Sequence, residues 1–181
     1  MLPTAEEAAQ ALRDIDLIKH RAAGFQDYRA EAGQLILWGL AYLAGFSLSA
    51  CFPRYLLGIW AAVVLAALVA GTWLAVRSGA GAGIVRRYLA VIITILSFII
   101  AVHWVFWPIS PEQGAMLAPL FLSALYILRG IQLRPRYTVI GAALGILCLG
   151  GYLFLLPVFW PWMAMACGGT LILSGLWLRS H

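Results

Sequence analysis

Charged side chains are absent from positions 32–53, 55–76, 88–111, 113–128 and 137–178. Each gap carries a run close to the ~20 apolar residues that cross a hydrocarbon core as a helix. The pattern predicts six membrane spans, at 35–52, 56–76, 88–107, 115–131, 137–156 and 158–178. Residues 4–31 follow a different pattern: Ala5, Ala8, Leu12, Ile15, Ala22 and Phe25, with Ile18 adjoining, keep the three-and-four spacing of an amphipathic helix. Thr4 and Glu7 stand at the spacing of a capping box, in which each residue satisfies a free N–H of the first turn. The expectation is an all-α polytopic protein with a cytosolic amphipathic helix over 1–33, ending near Gly24 or Gly33, and a six-helix transmembrane domain over 34–181.

The connections between spans alternate in charge. Arg77, Arg86 and Arg87, then Arg129, Arg134 and Arg136, then Arg179 fall on the same side as the N-terminal segment, while Arg54 is the only base on the other. Lys and Arg in short loops stay cytoplasmic, so an eleven-to-one excess predicts that both termini face the cytoplasm. The acidic start lacks the basic region and short apolar core of a secretory signal peptide, and a mature cytoplasmic N-terminus is expected. The layout suits the inner, cytoplasmic membrane of a bacterium.

The six spans also read as one hairpin written three times. Arg87-Tyr88, Trp107-Pro108 and the run Arg129 to Arg134 mark the middle copy; Arg136-Tyr137, Trp160-Pro161 and the run Ser174 to Arg179 mark the last. Val-Phe-Trp-Pro is identical at 105–108 and 158–161, and a fainter copy runs from Tyr28-Arg29 through Phe52-Pro53 to Arg77. The period of roughly 50 residues holds two spans and a turn, so the copies share one orientation. The competing explanation is that Arg, Trp and Pro recur at every membrane boundary.

Composition narrows the class further. Of 181 residues 64% are hydrophobic and 10% charged, against ~45–50% and ~25% in soluble domains; a soluble globular domain is excluded. The net charge of +5 is spread singly and in pairs beside the spans, which suits helix anchoring and gives no patch for nucleic acid. Cys51, Cys148 and Cys167 are odd in number, and two of them, Cys148 and Cys167, lie well inside spans, so no disulfide framework is expected.

Candidate chemistry is sparse. No Asp, Glu, Lys or Arg lies in the middle of a span, which argues against carboxylate-driven antiport. Ser47, Ser49, Ser97, Ser123 and Ser174 have no Gly-x-Ser-x-Gly elbow around them, and nothing points to an enzyme. His103 is the only histidine within a span; it suits a metal or a titrating role, but a neutral ring bonded to a backbone carbonyl is the commoner arrangement. Cys51, Met116, Met163, Met165 and Cys167 would suit Cu(I) if they met, yet a two-residue spacing turns side chains by about 200° around a helix. No metal and no cofactor is expected.

His103, Trp104, Trp107 and Trp160 outline an outer aromatic pocket, or an interfacial belt of the kind that anchors helix ends. Gly141 and Gly145 in the fifth span, with Ala164 and Gly168 in the sixth, place small side chains on single helix faces and predict that these two spans pack closely. Ala41 with Gly45, and Ala67 with Gly71, repeat the spacing in the first hairpin. Pro119 falls inside the fourth span and is expected to kink it or mark its first turn.

The N-terminal segment is net negative, with six acids against four bases, whereas helices that lie on anionic membranes are basic. Leu12, Ile15, Ile18 and Phe25 are therefore expected to meet protein: a second copy, a cytosolic partner, or the Arg-rich loops. The functional expectation is a non-enzymatic membrane protein that binds a protein partner or senses an apolar ligand, with this helix as its interaction element. The alternative is a channel or uncoupled exporter for a small solute, which would need a continuous polar path.

Overall fold

A computed structural model of the chain describes residues 28–77, 82–132 and 135–180, together with residue 10. The stripe Leu12, Ile15, Ile18 and Phe25 lies outside the described residues. Among the described residues the helices are α1 (Tyr28–Cys51), α2 (Leu56–Arg77), α3 (Ala82–Val105), α4 (Pro111–Gln132) and α5 (Pro135–Phe154); the last span is built from α6 (Phe159–Met163), a π-helical segment (Ala164–Gly169) and α7 (Thr170–Arg179). Helices α1 to α5 hold 20 to 24 residues each, or about 30–36 Å at 1.5 Å per residue, enough to cross a bilayer. Among the described residues six helical stretches are long and apolar enough to span, and the protein is an all-α, multi-pass membrane protein.

Local sequence explains the helix ends. Pro53, Pro111, Pro135 and Pro157 stand at or just before the starts of new helical segments, where their missing N–H costs nothing. Ser110 and Gln113 cap α4 reciprocally: the Ser110 N–H donates to Gln113 Oε1 (3.1 Å) and the Gln113 N–H to Ser110 Oγ (3.2 Å). Pro119 lies inside α4, its ring fully buried, and the helix continues past it. The first span differs from the expected boundary: α1 is continuous from Tyr28 through position 33, which brings Glu31 into the bundle.

Helix α1 is the hub. Ala32, Leu35, Gly39, Tyr42, Phe46 and Ser49 are buried at three-and-four spacing along one face, and Gly33 and Gly45 are buried beside them. That face meets the last span in a close backbone approach. A Cβ on Gly39 would lie 3.0 Å from the Gly168 carbonyl, one on Gly168 2.9 Å from the Gly39 carbonyl, and one on Gly175 2.8 Å from the Ala32 carbonyl. With no hydrophobic drive to associate in lipid, such small-residue contacts let dispersion hold the helices together.

Helices α4 and α5 form the second tight pair. Ser123 Oγ donates to the Gly141 carbonyl (2.7 Å), and a Cβ on Gly145 would come within 2.6 Å of that hydroxyl. The expected use of Gly141, Gly145 and Gly168 therefore needs correction: the first two face α4 and the third faces α1, so they do not pair the fifth span with the sixth. Those two spans meet through other groups, the Trp162 Nε1–H donating to the Leu147 carbonyl (2.9 Å) and Cys148 Sγ lying 3.4 Å from Cys167 Sγ. Ala164 is buried at the start of the π-helical segment.

The two Val-Phe-Trp-Pro copies adopt different structures. At 105–108, Val105 ends α3 and Trp107-Pro108 lie beyond it; at 158–161, Phe159, Trp160 and Pro161 open α6. Helix α3 is the outlier of the bundle: among its described residues none is buried, and it meets α2 and α4 at only a few positions.

Candidate functional site

Because α3 stands away from the hub, a cavity of about 1840 Å³ opens between α1, α2, α3 and α4. It exceeds the ~300–1,000 Å³ typical of sites for compact small molecules. It also runs the depth of the bundle: Glu31, Arg129 and Arg179 line its arginine-rich end, and His103, Trp107 and Ser110 the opposite end. Between them the walls are apolar, with Leu56, Val64 and Leu68 from α2, Ile92, Ile95 and Ile99 from α3, and Ala118 and Leu122 from α4. The α3 residues recur at three and four because one stripe of a helix faces the space.

Two fasteners hold α3 in place. Toward the arginine-rich end the Trp38 Nε1–H donates to the Tyr88 hydroxyl (3.2 Å), which sits so close over Gly71 that a Cβ there would collide with it. Gln34 braces the same point, its Nε2 donating to the Gly71 carbonyl (2.9 Å), while its Oε1 is buried with no partner among the described residues. Toward the other end Phe98 stacks on Phe121 with centroids 4.4 Å apart, and His103 Nε2 comes within 2.7 Å of where a Gly114 Cβ would stand. Small residues at 71 and 114 are what let α3 approach at all.

The arginine-rich end holds the only ion pair among the described residues, between Arg129 of α4 and Glu31 of α1. Tyr137 of α5 donates its hydroxyl to the second carboxylate oxygen. The Arg129 guanidinium lies over the Tyr137 ring (5.0 Å), and Tyr126 stacks on that ring at 5.9 Å. Glu31 therefore has both oxygens engaged, whereas the Arg129 side chain remains 42% exposed and keeps donors free toward the cavity mouth.

The expected outer pocket forms in part. His103, Trp104 and Trp107 line the cavity, while Trp160 lies elsewhere, packed on Phe46 and Phe159 in an aromatic cluster that includes Tyr42 and Trp60. His103 donates Nδ1–H to the Ile99 carbonyl one turn earlier (2.9 Å), which in the neutral ring leaves Nε2 as an acceptor. Ser49 and Ser123 spend their hydroxyls on backbone carbonyls. Cys51 is exposed and apart from the buried Cys148 and Cys167.

Glu31, Gln34, Trp38, Tyr88, Arg129 and Tyr137 were not singled out from sequence as site residues. One signal was present: Tyr88 and Tyr137 hold equivalent places in the Arg-Tyr steps that open the third and fifth spans, and each bonds a polar residue of α1. Compared with protein-family models, curated proteins and solved structures, the chain has no match.

Proposed function

We propose that the protein is a non-enzymatic binder and sensor of a long apolar-chain molecule, held within the bilayer in the cavity between α1 and α4. The observation that carries this reading is the cavity's form: bundle-deep, apolar along its walls, with charge confined to one mouth. A conduit for a small hydrated solute needs a continuous polar lining, and the Leu, Ile and Val walls oppose it. Helix α3, held by two fasteners, is the wall that responds to occupancy. The N-terminal segment, through Leu12, Ile15, Ile18 and Phe25, is the element that passes the state to a protein partner or a second copy. In this reading both termini are cytoplasmic, the chain sits in a bacterial inner membrane, and the three hairpins descend from one unit.

A fatty acid bearing a mid-chain diazirine, incorporated into vesicles with the full-length protein, tests the site. Adducts should concentrate on the cavity faces of α2 and α3, saturate, and fall when unlabelled chain is added. Even labelling of outward residues such as Ile146, Leu153 and Leu173, without saturation, would contradict the proposal.

A further inference from the structure

The mouth of the cavity is chemically asymmetric. Arg129 and Arg179 both line it and Glu31 is the only acid there among the described residues, so among these, two guanidinium groups stand against one carboxylate at the point where an apolar channel meets the interface. The carboxylate is committed on both oxygens, to Arg129 and to the Tyr137 hydroxyl, and the Tyr137 ring lies under the guanidinium. Arg179, exposed at the end of α7, reaches the same mouth beside Gly33, where a Cβ would stand 3.9 Å from one of its terminal nitrogens. A planar guanidinium already oriented by one partner, with further N–H groups unspent, is suited to bind an oxyanion through paired hydrogen bonds. The opposite mouth offers Ser110 and the His103 ring and, among the described residues, no Lys or Arg.

Resting on the reading above, we infer that the ligand is an amphiphile with an anionic, oxygen-rich headgroup, seated between Arg129 and Arg179 with its hydrocarbon chain running along the cavity toward His103. Glu31 then has two roles. It holds Arg129 in place, and it competes with the headgroup for the guanidinium, which keeps binding reversible.

The test is competition against the photoreactive fatty acid in vesicles of zwitterionic lipid, using hexadecyl phosphate, hexadecanol and inorganic phosphate as displacers. Hexadecyl phosphate should displace the probe about tenfold more effectively than hexadecanol, the scale set by one or two charge-assisted hydrogen bonds. Inorganic phosphate should not displace it. Arg129→Gln together with Arg179→Gln should erase the difference between the two chains, and Arg179→Gln alone, which leaves the Glu31 pair intact, should reduce it. Glu31→Gln should widen it, since the competing charge is gone while an amide remains to hold Arg129. Equal displacement by hexadecyl phosphate and hexadecanol in the unaltered protein would overturn the headgroup assignment and leave the cavity reading standing. Displacement by neither would overturn both. Displacement by inorganic phosphate as effectively as by the long-chain phosphate would overturn the amphiphile in favour of a free-anion site. A weakened preference in Glu31→Gln would contradict the competition.

Discussion

Tyr137, at the start of α5, donates its hydroxyl to Glu31 at the start of α1, and Arg129 of α4 takes the other carboxylate oxygen, so one side chain joins three helices. The pair is partly shielded, with Glu31 27% exposed, and it lies at the mouth of the cavity. The loss of one charged hydrogen bond there outweighs the near-zero value of a fully exposed ion pair.

Tyr137→Phe is expected to destabilise the protein by about 1.5–3 kcal/mol, the usual cost of a hydrogen bond to a charged group. Tyr152→Phe, which removes only an exposed contact with Gln113 (3.2 Å), should cost less than about 0.5 kcal/mol, as for a surface change. Thermal unfolding in a mild detergent compares them, and equal melting of the two variants would contradict the special place of Glu31.

Gly145→Leu should separate α4 from α5 by pressing on Ser123, and Gly168→Leu should separate the last span from α1. Overpacking of this kind costs about 1–3 kcal/mol, and more where backbone must move. Gly150, where an added Cβ meets nothing within 4 Å, is the control: Gly150→Leu should melt near the unaltered protein. A Gly145→Leu variant as stable as Gly150→Leu would refute the contact.

The contrast between these glycines shows where sequence reading stops. The six spans were legible because charge-free runs of membrane length are rare by chance, and the prolines marked the breaks. Which face of each helix is buried was not legible, since in lipid the outward face is as apolar as the inward one. The buried stripe of α1 from Ala32 to Ser49 is flanked by Leu37, Leu40 and Leu48, which face outward or stay half-covered. The small-residue spacings were visible, but Gly141 points to Ser123 and Gly168 to Gly39 for reasons of three-dimensional packing that spacing does not contain. Ser110-x-x-Gln113 was a readable capping box that went unused. Glu31 was hidden by its neighbours: six acids in a row of 31 residues read as one soluble segment, when the last belongs to the first span.

The two fasteners of α3 make a separate prediction. Gly114→Leu should push His103 off α4, and Trp38→Phe should release the Tyr88 hydroxyl, each leaving the α1 contact with the last span intact. Distances between spin labels at Ile93 and Leu153, both exposed, should broaden and lengthen in the double variant. An unchanged distribution would mean that α3 is held elsewhere.

The N-terminal stripe is expected to carry association. Leu12→Asp with Ile15→Asp should abolish subunit or partner binding while membrane insertion persists, because the six candidate spans all follow these positions in the chain. Native mass measurement of the double variant checks it; an unchanged assembly, together with strong binding of an isolated peptide of residues 4–31 to anionic vesicles, would contradict it.

The central claim, that the cavity holds a chain-like ligand, is tested most directly by filling it. Ala41 of α1 and Ala61 of α2 both line the space, and Ala41→Trp with Ala61→Trp places two indoles in it without touching the Glu31 cluster. Native mass measurement after exhaustive detergent exchange and titration with hexadecyl phosphate should show one saturable adduct on the unaltered protein and none on the filled variant, with melting temperatures alike. Equal adducts on both proteins, or no saturable adduct on the unaltered one, would contradict the account.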